Sequence, residues 1–279
     1  SIVAMFISGK FIVYLRRHSC MNEIQRREVA QAFDATPELL PFIPELLADL
    51  WALGSSLELI VELLRPLDLP AETTRVLDLG CGKGAVALTL AREFGFQALG
   101  IDFFEPFIKD ARERAEEMGV ASLCQFMCDD IRDALGEARD FDVVIYASIG
   151  GVLGKFDECV AKLRRCVNPG GYMLIDNVFL ADPDKVESPW YEHCATHQET
   201  LRQLTAHGDA LLREVIIPTE DVKALNRKYT ELIRRRAEKL AELHPEAADS
   251  LFWYVEKQER ESEIMERTVT SAVWLLQRA

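Results

Sequence analysis

The stretch Val76-Leu77-Asp78-Leu79-Gly80-Cys81-Gly82-Lys83-Gly84, running into Ala85–Ala91, constrains the fold of this chain more than any other. A short apolar run, a turn holding three glycines and a second apolar run read as buried strand, tight turn and helix start. Alternate turn residues lack a Cβ, so their backbone N–H groups can come within hydrogen-bonding distance of a ligand. The helix start adds a partial positive charge. Such a turn suits an electron-rich or negative group of a nucleotide-like ligand.

Gly80-x-Gly82-x-x-Ala85 satisfies the dinucleotide fingerprint, which tolerates Ala at its third position. Asp78 would then face a pyrophosphate, and Gly84 adds a glycine inside the pattern. A P-loop needs four residues between its leading glycine and the Gly-Lys pair, then Ser or Thr; Lys83 has neither. A cationic ligand end suits Asp78 better, and S-adenosylmethionine carries an ammonium and a sulfonium. The segment resembles motif I of the class I S-adenosylmethionine-dependent methyltransferases.

The rest of the chain carries that resemblance further. Gln97–Ile101 reads as a second strand ending in Asp102, roughly 20 residues past the turn, where such folds place a carboxylate for ribose hydroxyls. Phe103 follows, placed to stack on adenine, and Phe104 is an alternative. Leu123–Cys128 is a third strand. The resemblance makes Asp130 the acceptor for the adenine amino group, with Ile131 against the ring and Asp129 a solvated turn residue. Phe141–Tyr146 is a fourth strand, leading into the small residues of Ala147-Ser148-Ile149-Gly150-Gly151. The Asn/Asp-Pro-Pro-Tyr/Phe signature of base- and amide-modifying relatives is missing there. Leu163-Arg164-Arg165-Cys166-Val167-Asn168-Pro169-Gly170-Gly171 matches the family's turn before a fifth strand, Tyr172–Val178. Strands six and seven are expected at Ala210–Ile217 and Thr268–Gln277.

Helical patterns fill the remainder. Met21–Asp34, a segment opened by Pro37, and a helix begun by a Ser55/Glu58 capping box precede the turn. Ser188-Pro189 is expected to start a helix reaching Gly208, with His193 and His197 on one face. That spacing suits a metal, but no third ligand is evident and no metal is expected. Val222–Leu243 and Ala247–Met265 read as a helical hairpin within an insertion over 219–266, a dimer arm, a lid or a packed decoration. Ser1–Leu15 is apolar but too short to span a bilayer, and reads as a packed strand or helix, or as a leader before Met21.

A net charge of −14 repels phosphate backbones and argues against nucleic acid. Seven cysteines without regular spacing suggest reduced thiols and a cytoplasmic protein, with no membrane partner. The expected fold is α/β: a Rossmann-like seven-stranded sheet, mostly parallel with an antiparallel last strand, and helices on both faces. Its expected organisation is a leader and helical cap over 1–54 and a methyltransferase domain over 55–279. The resemblance implies methyl transfer from S-adenosylmethionine to a small-molecule acceptor, as in quinone- or amine-methylating relatives, by in-line displacement. Asp78, Gly80, Cys81, Gly82 and Gly84 would hold the methionine end, Asp102 the ribose, and Phe103, Asp130 and Ile131 the adenine. Tyr146 would border the cofactor and cavity. If a base is needed, the candidates are Tyr146, Asp176 and His193. An NAD-dependent oxidoreductase, or a non-catalytic cofactor-binding subunit acting through 219–266, are the alternatives, and a homodimer through that hairpin is a possible assembly.

Overall fold

A computed structural model describes residues 4–7, 10–13, 23–182, 191 and 194–279. The chain divides into two compact units, one of residues 1–16, 52–216 and 270–279, the other of residues 17–51 and 217–269.

The first unit is built on a seven-stranded sheet. Its strands are β3 (Arg75–Leu79), β4 (Gln97–Asp102), β5 (Cys124–Cys128), β6 (Phe141–Ala147), β7 (Val167–Leu180), β8 (Ala210–Ile216) and β9 (Val269–Gln277), numbered after a separate antiparallel hairpin, β1 (Ala4–Ile7) with β2 (Lys10–Val13). The spatial order is β5-β4-β3-β6-β7-β9-β8. β3 pairs in parallel with β4 and β6, β4 with β5, and β6 with β7, while β8 and β9 run antiparallel. From β3 the chain builds outward to β5, then returns to lay β6 on the other side of β3. That reversal opens a crevice at the carboxyl ends of β3 and β6, where open α/β sheets bind ligands.

Central parallel strands are covered on both faces, hence their near-continuous apolar sequence. One face, with Leu77, Leu79, Val144, Ile175 and Trp274, packs on α6 (Ile131–Ala134), α7 (Phe156–Leu163) and α8 (His197–Leu204). The other packs on α4 (Ala85–Phe94) and α5 (Glu105–Glu117); α3 (Leu57–Leu64) lies against α4. Gly100 of β4 is pressed by the Phe126 ring, 2.6 Å from where its Cβ would be.

The second unit is helical: α1 (Glu23–Ala32), α2 (Ile43–Leu46), and a hairpin of α9 (Thr219–Leu243) and α10 (Ala248–Thr268). Ile43, Leu46, Ile233, Ala237, Leu251 and Val255 are buried in it. Arg236 of α9 bonds Asp49 at 2.7 Å and also Glu45, and Lys257 of α10 lies 3.5 Å from Asp34. The N-terminal helices, expected within a cap over 1–54, thus share one compact unit with the 219–266 hairpin.

Several local expectations change. The segment after Pro37 is mostly turns, with helix only at Ile43–Leu46, because Pro37, Pro41 and Pro44 remove donors and clash with preceding turns. Its leucines are buried all the same. The Ser55/Glu58 box does not form: Ser56 is the N-cap of α3, and its N–H is taken by Asp176 from a distant strand. The Pro-Gly-Gly turn lies inside β7, which starts at Val167 and shifts register opposite Phe141 and Val143. α8 starts at His197, capped by Thr196; Cys194 and Ala195 are not helical, and residues 183–190 lie outside the described residues.

Candidate functional site

The carboxyl ends of β3, β4, β5, β6 and β7 bring Gly80, Asp102, Asp129, Ser148 and Asp176 to one edge of the sheet. After β3 the turn passes through Gly80, Gly82 and Gly84 with φ of 67°, 50° and 77°. Side chains fill the space that a Cβ would need: one on Gly80 would lie 2.5 Å from Ile149 Cγ2, and one on Gly82 2.8 Å from Leu53 Cδ1.

Two buried carboxyls hold this turn. Asp102 Oδ2 accepts the Gly82 N–H at 2.9 Å, and Oδ1 accepts the Phe104 N–H at 2.9 Å. Asp78 Oδ2 accepts the Ala87 N–H at 3.2 Å, anchoring the first turn of α4 that its N-cap, Gly84, has no side chain to hold. Burial pushes Asp78 up to about 7, with the Asp102 charge adding to it and the Ala87 bond opposing. Burial likewise pushes Asp102 up to about 6 against its backbone hydrogen bonds. Cys81 is buried, and burial beside these carboxyls raises its thiol far above the ordinary range, so it contributes backbone rather than a thiolate. Lys83, the residue at odds with a cationic ligand, is buried against α5: its Nζ lies 4.0 Å from Asp110 Oδ2 and 5.4 Å from the centre of the Phe107 ring.

Phe103 is half-buried beside Asp102, whereas Phe104 is buried edge-on to Phe107, so Phe103 is the more accessible of the two. At the end of β5 the two acids exchange the expected surroundings. Asp129 is buried and its Oδ1 accepts the Asp130 N–H at 2.9 Å, so it is no solvated turn residue. Asp130 is the N-cap of α6, with Oδ1 accepting the Arg132 N–H at 2.8 Å, and it is ion-paired with the Arg132 guanidinium, which holds its carboxyl below the usual range despite partial burial. Ile131 is buried next to it.

Tyr146 is corrected as a base and as a cavity-lining residue. It is 1% exposed, its hydroxyl donates to Gly150 O at 2.8 Å and accepts from Leu153 N, and burial raises the phenol out of catalytic range. It braces the loop after β6, helped by Asn177, whose Nδ2 also donates to Gly150 O at 3.0 Å. In that loop Ser148 is exposed with φ of 56°, and its N–H donates to the Asp176 carbonyl. Asp176 is buried and pushed up to about 6 by that burial, and its Oδ2 accepts the Ser56 N–H at 2.6 Å. His193 lies outside the described residues. His197 sits on the other side of β7, its Nε2 2.8 Å from Glu214 Oε1 and its ring 4.7 Å from that of Phe179. Among the described residues no cluster of His, Cys, Asp and Glu could hold a metal ion.

The sequence reading overlooked Leu53, Ile149 and Ser56. Leu53-Gly54 carried a signal, since a glycine beside an apolar residue marks a turn, but nothing local shows what the turn lies against.

A family profile described as a methyltransferase domain matches residues 70–248. An uncharacterized protein, YjhP of Escherichia coli, is 36% identical over 104 residues, 37% of this chain and 41% of that protein. A ubiquinone biosynthesis O-methyltransferase of Mesorhizobium japonicum is 30% identical over 109 residues, 39% of this chain and 43% of that one. The chain thus spans about two-fifths of the length of these curated relatives. Among solved structures, a SAM-dependent methyltransferase from Thiobacillus denitrificans in complex with S-adenosyl-L-homocysteine superposes with a TM-score of 0.70 at 21% identity, covering 85% of this chain and 98% of that one.

Proposed function

The chain belongs to the class I S-adenosylmethionine-dependent methyltransferase family, and on that premise we propose that it moves a methyl group from S-adenosylmethionine to a small-molecule acceptor. The observation that carries the proposal is the pair of buried carboxyls on the glycine turn. Both are pushed up by burial, a state that a cationic ligand relieves. Backbone N–H groups of Phe104, Gly82 and Phe103 hold the Asp102 carboxyl in place as a charged acceptor for the ribose hydroxyls. The Asp78 carboxyl matches an ammonium at the methionine end, where Gly80, Cys81, Gly82 and Gly84 offer backbone. Phe103 and Ile131 flank the adenine, and Asp130 takes its amino group in competition with Arg132.

When bound, S-adenosylmethionine supplies a methyl already activated by its sulfonium. The protein's part is to hold the acceptor in line and exclude water, an alignment worth roughly 7–11 kcal/mol. Asp176 has Oδ2 committed to Ser56 and Tyr146 is withdrawn; the reading we favour is attack by an acceptor lone pair that needs no protein base, with His193 the candidate left should a proton have to leave. Gly150, where a Cβ would meet nothing within 4 Å, leaves room for a compact acceptor in the loop after β6. The acidic net charge of −14 argues against nucleic acid, and the seven cysteines without regular spacing support a reducing, cytoplasmic setting. No helix among the described residues is long and apolar enough to cross a membrane. A homodimer through the 219–266 hairpin remains part of the proposal.

Titration calorimetry with S-adenosylhomocysteine and with NAD tests the reading. Micromolar binding of the former and none of the latter is expected; tight binding of NAD alone would overturn it in favour of an oxidoreductase.

A further inference from the structure

Residues 53–56 cross the crevice from strand end to strand end. The Leu53 side chain lies on Gly82, after β3. Gly54, at φ of 100°, faces Ser148, after β6: a Cβ built on Gly54 would lie 3.7 Å from that residue's Cβ and Oγ. Ser56 donates its N–H to Asp176 Oδ2 at 2.6 Å, in β7. β3, β6 and β7 are neighbours in the sheet, so three nearby residues of one strap touch three adjacent strands in order.

Two of these contacts are held in an unfavoured backbone. Leu53 has φ of 49° and Ser148 φ of 56°, a left-handed conformation that costs a non-glycine residue free energy and persists only where surrounding structure fixes it. Asp176 fixes it here: the Ser148 N–H is tied to the Asp176 carbonyl, and the strap is tied to the Asp176 carboxylate. One residue secures both sides of the Gly54–Ser148 contact. A carboxylate accepting an N–H at the start of α3 is also the stronger, charge-assisted kind of bond.

Resting on the methyltransferase reading above, we propose that Asp176 is a positioning residue that latches the 53–56 strap across the methionine end of the cofactor site, so that Leu53 retains the bound cofactor on the glycine turn. Asp176 acts through Ser56 and Leu53 and takes no part in the transfer itself. The latch governs release rather than capture, because the carboxylate bonds the strap and not the ligand.

The test is the dissociation rate of S-adenosylhomocysteine from the full chain by surface plasmon resonance. Asp176→Ala removes the acceptor, and Ser56→Pro removes the donor at a φ of −78° that proline adopts. Both should release S-adenosylhomocysteine about tenfold faster or more, with little change in association rate. Asp176→Asn keeps an acceptor oxygen for the Ser56 N–H and should stay within about threefold of the wild type. A lower melting temperature with an unchanged dissociation rate in both breaking variants would make Asp176 a helix cap only and overturn the latch. If wild-type protein binds no S-adenosylhomocysteine, the methyltransferase reading and the latch fall together.

Discussion

Replacing Asp102 with asparagine separates what this carboxylate does for the fold from what it does for a ligand. The aspartate accepts the Phe104 N–H on one oxygen and the Gly82 N–H on the other. An amide has a single acceptor oxygen, so one of those buried donors would face an NH2 group, at about 1–3 kcal/mol. Against that, burial net of those same backbone bonds lifts the carboxyl from 3.8 to about 6, so at neutral pH the anion costs the fold roughly 3 kcal/mol even with its bonds made. The uncharged amide escapes it. The two effects are of similar size and opposite sign, so the melting temperature without ligand at pH 7.5 should move by only a few degrees. Binding has no such compensation. The ribose hydroxyls lose a charged acceptor worth about 1.5–3 kcal/mol, and affinity for S-adenosylhomocysteine should fall by ~10- to 100-fold. Titration calorimetry and a thermal melt on the same sample read both quantities. Affinity within twofold of the wild type would show that this carboxylate does not hold the sugar. A melting temperature lowered by ten degrees or more would show that its two backbone bonds outweigh the burial penalty.

Asp78 and Asp102 both have folded values, about 7 and about 6, above the ordinary 3.8. Their contribution to the unliganded fold is therefore complete below about pH 4 and is lost as pH climbs through 6 and 7, so the unliganded melting temperature should fall between pH 5 and 8. The ammonium of S-adenosylhomocysteine beside Asp78, and its ribose hydroxyls on Asp102, favour the ionised carboxyls, so it should bind more tightly from pH 5 to 7 and release protons; calorimetry in two buffers of different ionisation heat checks this, and zero release refutes it. Gly80→Ala places a Cβ 2.5 Å from Ile149 Cγ2 at φ of 67°. It should cost ~2–4 kcal/mol in urea unfolding and weaken S-adenosylhomocysteine binding; an unchanged midpoint would mean the turn yields freely. Arg132→Ala frees Asp130 from its exposed ion pair and should strengthen S-adenosylhomocysteine binding by about two- to fivefold. Weaker binding would instead assign the guanidinium itself to the ligand.

The strand ends that build the crevice were legible because their signals are local. A glycine turn, an acid at the end of the next strand and a Pro-Gly-Gly run each report on backbone within a few residues. The mostly parallel pairing and the antiparallel last strand followed from the family pattern they form; the order of the strands comes from the structure. What stayed hidden depends on contacts distant in sequence. Ser55, with Glu58 three residues on, looks like the cap of α3; only the fold makes Ser56 the N-cap and brings in Asp176, 120 residues away. Asp129 and Asp130 are identical in kind and adjacent, and which is buried depends on where β5 stops and α6 begins. Tyr146 sits where a substrate-facing residue belongs, but the alternation of a strand turns its ring into the core, where its hydroxyl finds the loop it braces. The segment after Pro37 keeps its leucines buried but not its helix, since burial survives three prolines and helical hydrogen bonding does not.

The helical unit is assembled from residues 17–51 and 217–269, two stretches separated by most of the sheet. During synthesis the earlier stretch leaves the ribosome with its apolar side chains exposed and no partner yet made. At roughly 5–20 residues per second, about 10–45 s pass before the later stretch is available. Over that interval the nascent chain offers a chaperone a binding segment that the finished molecule no longer shows, and a ribosome pausing on the β8 codons would lengthen that exposure without altering a single residue.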